Sequence, residues 1–129
     1  TSPAVFGLLG RVTRALIELG ERKSLTRAVD AGHEFALRAE QLRALAYHLV
    51  DEVAADDAHE ERLRVRAMSL LLAHEATAAM VATSGGSAIA LDNPAQRWAR
   101  EALFFLVQAQ TGAVRDEMLD RWPLGVSGS

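Results

Sequence analysis

The sequence predicts an all-α fold, an antiparallel four-helix bundle with a short fifth helix at the C-terminal end. Three observations carry this. Half of the 129 residues are hydrophobic, drawn mostly from alanine and leucine, the strong helix formers, while aromatic residues make up only 5%. Apolar residues recur at spacings of three and four between recognisable helix starts and stops. No segment shows the strict alternation of a half-buried strand.

The first helix is expected to open with Ser2 as N-cap and Pro3 at the first helical position, where the missing N–H of proline costs nothing. Its stripe is Val5, Leu8, Leu9, Val12, Leu16 and Leu19, and Gly20 reads as the residue just past its end. After the polar turn of residues 21–23, Ser24 is the expected cap of a long second helix reaching about Ala55, with Phe35, Leu42, Leu45, Leu49 and Val53 facing inward. Gly32 lies inside it and costs about 1 kcal/mol relative to alanine, so it marks either a close helix crossing or an interruption. Continuity with a kink is the expectation.

Asp56 or Asp57 is expected to cap a third helix from about Ala58 to Thr83, with Glu60 and Glu61 at the positive end of its dipole. Leu63, Ala67, Leu70, Leu71, His74, Ala78 and Val81 define its predicted face. Gly85-Gly86 and a connector to Asn93 follow. Asn93-Pro94 starts a fourth helix carrying Trp98, Leu103, Phe104 and Leu106. A break at Thr111-Gly112 precedes a last helix from Ala113 to Arg121, which Trp122-Pro123 ends. Residues 1–124 are thus read as one domain and 125–129 as a disordered tail. Thr1 either follows removal of an initiator methionine or begins a piece of a longer chain.

Composition excludes several functions. A net charge of −3 offers no basic field for phosphate neutralisation, so nucleic acid is not an expected partner. The absence of cysteine removes disulfides, thiolate metal sites and cysteine nucleophiles, and fits a cytoplasmic home. Apolar runs such as residues 68–73 fall short of the ~20 residues of a membrane span, so a soluble chain with no membrane partner is expected. His33, His59 and His74 each precede a glutamate, yet no Glu-x-x-His or His-Glu-x-x-His occurs, and no metal site is predicted. His74 is expected to be a partly buried structural residue and His59 a solvated one. The charged pairs between Glu60 and Arg66 and between Asp116 and Arg121 read as solvated helix faces. No phosphate-cradling loop and no nucleophile elbow is present.

The segment from Gly85 to Leu119, with Gly85-Gly86, Pro94, Arg97, Arg100, Glu101 and Thr111, resembles the C-terminal helical domain of the acyl-CoA dehydrogenase family. Arg22 with Leu25-Thr26 stands where that family has an Arg-x-x-Phe-Gly turn. The resemblance implies a parent protein with two further domains upstream and FAD held where the bundle meets them and a neighbouring subunit. It also implies an acyl-CoA substrate and a homo-oligomer or homologous subunit as partner. Arg22, Gly85, Gly86 and Thr111 are the implied cofactor-binding residues. The glycines would let a backbone approach the ligand, although they serve simple chain reversal equally well. Arg97 and Arg100 are open to a structural role. The chain departs from the family where Ala109 replaces the glutamate that removes the substrate α-proton, since alanine cannot act as a base. Glu18 and Glu101 stay open as displaced bases, and no catalytic residue is assigned. The resulting expectation is a bundle that is inactive alone and belongs to an acyl-CoA dehydrogenase-like flavin oxidoreductase. The alternatives are a non-catalytic subunit of a heteromeric dehydrogenase and a cofactor-free helical interaction module.

Overall fold

The computed structural model describes residues 3–51, 58–86, 92–108 and 111–122. Among these are five helices and no strand: α1 (Pro3–Arg22), α2 (Thr26–Asp51), α3 (His59–Ser84), α4 (Pro94–Gln108) and α5 (Gly112–Arg121). The all-α bundle follows the predicted order. The Asp56 and Asp57 caps, Val53, Ala109 and the 125–129 tail fall outside the described residues.

The six residues predicted for the α1 stripe are all buried. Burying such side chains at about 25 cal/mol per Å² is the main force that holds α1 against its neighbours. The chain runs up α1, down α2, up α3 and down α4. α1 packs on both α2 and α3 and touches α4 along an edge, while α3 is in contact with all four other helices. α2 and α4 do not meet, so they flank the central α1–α3 pair on opposite sides. An ion pair from Arg11 Nη2 to Glu101 Oε2 at 3.4 Å marks the α1–α4 edge.

The turn from α1 to α2 departs from the expected one. Gly20 does not end the helix, which continues to Arg22, and Ser24 does not cap α2. Ser24 instead takes the left-handed conformation, φ 57°, just beyond α1. Its N–H bonds to the Glu21 carbonyl at 3.3 Å, and the Leu25 N–H bonds to the Gly20 carbonyl at 2.8 Å. This pair of bonds is a Schellman closure, which satisfies carbonyls that the helix end would otherwise leave bare. Glycine usually fills the left-handed position because a side chain is strained there. Ser24→Gly is therefore expected to stabilise the chain by about 0.5–1 kcal/mol in urea unfolding.

Gly20 has another task. It is buried on α1, and a Cβ built on it would lie 2.8 Å from Val29 Cγ2 and 2.9 Å from the Val29 backbone nitrogen. Reciprocally, a Cβ on Gly32 of α2 would lie 2.6 Å from Ile17 Cγ1 and 3.4 Å from the Thr13 carbonyl oxygen. The two glycines thus bring α1 and α2 together at both contact points. α2 runs unbroken through Gly32, so the close crossing is the reason for that glycine.

α3 corrects the predicted face. His74 is half-buried, Ala78 is exposed and Val81 is half-buried, while Val65, Ser69, Ala73, Ala76, Thr77 and Met80 are buried. A helix packed on several sides needs small residues, and its buried hydroxyls need acceptors. Ser69 Oγ donates to the Val65 carbonyl at 2.7 Å and Thr77 Oγ1 to the Ala73 carbonyl at 2.9 Å, so both are satisfied within α3 itself. By length and composition α3 is apolar enough to cross a membrane, contrary to the expectation from short runs, because alanines extend its apolar span. More than half of that span is buried inside the bundle, as a core helix requires. Ala58 is the N-cap residue of α3 and supplies no side-chain cap, and Glu60 and Glu61 occupy the first turn as expected.

Candidate functional site

The connector that leaves α3 does so beside the end of α1 and the start of α4. There a cavity of about 500 Å³ opens between Ala15, Leu19 and Met80 below and Arg22, Lys23, Asp92 and Asn93 around the mouth. Glu18 and Ser84 also line it. Two cations and two carboxylates therefore face one small opening. Lys23 Nζ donates to the Thr83 carbonyl at 3.4 Å, tying the end of α1 to the last turn of α3. Asn93 Oδ1 accepts the Ala95 N–H at 2.8 Å, the side-chain cap expected before Pro94.

Gly85 closes α3 with φ 63° and ψ −141°, a region open in practice only to glycine, and its N–H bonds to the Val81 carbonyl. No atom lies within 4 Å of where a Cβ would stand on Gly85 or Gly86. Backbone conformation thus explains Gly85, whereas nothing in the described surroundings requires a glycine at 86. Both glycines are exposed at the same end of the bundle as Arg22.

Thr111 lies elsewhere. It follows α4, whose 15 residues run back along the bundle for about 22 Å. Its hydroxyl accepts the Val114 N–H at 3.2 Å and so caps α5. Of the four residues implied by the family resemblance, one end of the bundle gathers Arg22, Gly85 and Gly86, and Thr111 stands at the other. If capping is its task here, Thr111→Ala is expected to lose about 1 kcal/mol of stability in urea unfolding, and Thr111→Ser to keep it.

The two open carboxylates also separate. Glu18 lines the cavity, whereas Glu101 is engaged by Arg11 midway along α1 and α4. Arg97 and Arg100 project from exposed positions on α4. His74 stacks at a tilt on Trp122 with ring centres 5.8 Å apart, pinning the end of α5 against α3. Arg64 pairs with Glu61 at 3.0 Å and Arg121 with Glu117, both on helix surfaces. No group of three or more potential metal ligands occurs among the described residues.

Sequence reasoning did not find Lys23, Ser84 or Asp92 as companions of Arg22. The adjacent Arg22-Lys23 pair is the one local signal, and it takes the up-down topology to bring residue 92 beside it. Of the apolar residues noted on the fourth helix, Leu103 and Phe104 do not face inward. Ala95, Trp98 and Ala102 are buried there instead, and Leu103, Phe104 and Val107 stand 50%, 59% and 74% exposed. A second apolar hollow, between α2 and α3 beside α5, is floored by Leu42, Leu45, Met68, Leu71 and Leu72.

No family model, curated protein or solved structure matches the chain.

Proposed function

We propose that this chain is the C-terminal helical bundle of an acyl-CoA dehydrogenase-like flavoprotein, giving one wall of the FAD site and a surface for self-association. Alone it is not expected to catalyse. The observation that carries the reading is a cavity lined by Arg22, by Ser84 just before Gly85-Gly86, and by Asn93 and Pro94 at the capped start of α4. A guanidinium, unobstructed backbone and a positive helix end are together suited to the anionic part of a dinucleotide. Thr111, about one α4 length away, would touch the same flavin only if the cofactor spans that distance or is shared between two copies. In the parent reaction a carboxylate takes the α-proton of an acyl-CoA and hydride passes to the flavin. Glu18 lines the cavity together with Asp92.

The exposed apolar side chains on α2 and α4 favour a second reading, a helical self-association module that needs no cofactor. One experiment separates the two. The natural polypeptide is isolated from its source and its intact mass and absorption spectrum are recorded. A chain well above 13.9 kDa that carries bound FAD supports the flavoprotein reading. A colourless chain of 13.9 kDa discards it in favour of the module.

A further inference from the structure

The outward faces of α2 and α4 share a pattern at the same height. Both helices run in the same direction and both begin at the end of the bundle where Lys23 meets Asn93. One turn into α4 comes Arg97, then Arg100, followed by the exposed apolar residues Leu103, Phe104 and Val107. One turn into α2 comes Asp30, then Glu34, followed by the exposed Leu37. Arg97 and Phe104 are seven residues apart, as are Asp30 and Leu37. Seven residues is two turns, so in each helix charge and apolar side chain lie on one line.

We infer that the α4 face of one copy docks in parallel on the α2 face of a second copy. Arg97 and Arg100 meet Asp30 and Glu34, and Phe104 covers Leu37 with Val107 beside it. The faces flank the α1–α3 pair on opposite sides, so a sideways displacement of one copy brings them into register with no change in height. Arg38, which holds Glu34 at 3.0 Å, and Arg27 lie on the α3 side of the α2 face. That exposed pair is weak and yields readily to a new partner. Because two different surfaces on opposite sides meet by a displacement, the contact is heterologous and copies add in an open row. The inference rests on the self-association part of the proposed function and is independent of the flavin.

Four samples test it by sedimentation equilibrium on the full chain: the unmodified protein, the Arg97→Glu/Arg100→Glu variant, the Asp30→Arg/Glu34→Arg variant and an equimolar mixture of the two variants. All four positions are exposed, and circular dichroism checks that the helices are kept. The unmodified chain is expected to associate, each variant to associate at least tenfold more weakly, and their equimolar mixture to recover association. Variants that associate as the parent does, or a mixture that recovers nothing, overturn this interface and leave self-association standing. An unmodified chain that is monomeric at every concentration overturns both. Phe104→Asp gives an independent check, since its loss of association would come from the apolar half of the same stripe.

Discussion

Leu9→Ala is expected to lower the unfolding free energy by about 3 kcal/mol. Leu9 is wholly inaccessible on α1, in the stripe that the helix turns toward the rest of the bundle. Removing its branched end forfeits transfer free energy and leaves a cavity, and such changes in well-packed cores cost roughly 2–5 kcal/mol. The surroundings cannot collapse easily, because Leu8, Val12 and Leu16 are equally enclosed and set on the same rigid helix. Urea unfolding should show a lower midpoint with an unchanged slope. In heat the loss corresponds to roughly 10 °C for a chain of this size. A cost below about 1 kcal/mol would mean that α1 is not the enclosed helix described here.

The second large effect is expected from a substitution that adds a single methyl group. Gly20→Ala should destabilise the chain by about 2 kcal/mol, although alanine is the better helix former by about 1 kcal/mol. The new Cβ would stand 2.9 Å from the backbone nitrogen of Val29, an atom that cannot rotate away, and 3.1 Å from Ala28 Cβ. Relief therefore requires α2 to move off α1, which loosens the packing that Gly32 maintains farther along. Gly10→Ala is the matched control. It lies on the same helix with nothing within 4 Å of its Cβ position, so the helix-propensity gain of up to about 1 kcal/mol should appear there undiminished. Opposite signs at 20 and 10, measured by the same unfolding titration, are the expected result. A stabilising Gly20→Ala would contradict the close crossing.

These glycines also show what the sequence could and could not tell. The α1 stripe was legible in full, because a helix that packs on one broad side leaves a clean period of apolar residues. Gly20 misled, because a glycine near a polar turn looks like a helix end, and its partner 29 becomes visible only once α2 folds back. Ser24 carried no mark of the left-handed residue it is. On α3 the period itself was the obstacle. With other helices on several sides, buried positions such as Ser69, Ala73 and Thr77 fall outside any single stripe, and their small or polar side chains read as surface. On α4, Leu103 and Phe104 look like core by chemistry, while alanines 95 and 102 fill the inner face because α3 comes close there. As for the candidate site, Arg22 and the paired glycines could be picked out individually, but their proximity depends on topology, as does the distance of Thr111 from them.

With α3 supporting every other helix, the molecule has a preferred order of coming apart. Among the described helices α5 packs only on α3 and α4 lies mainly on α3, so these two can lift away while α2 stays on α1 across the Gly20 and Gly32 crossing. Partial opening is thus a matter of shedding flanks from a persistent axle, and amides at the centre of α3 exchange with solvent last. The flanks most readily released include α4, one of the two helices whose outer faces are inferred to bind another copy. Association would then tighten the edges of the bundle, where the isolated chain is loosest, and leave its already protected centre almost unchanged.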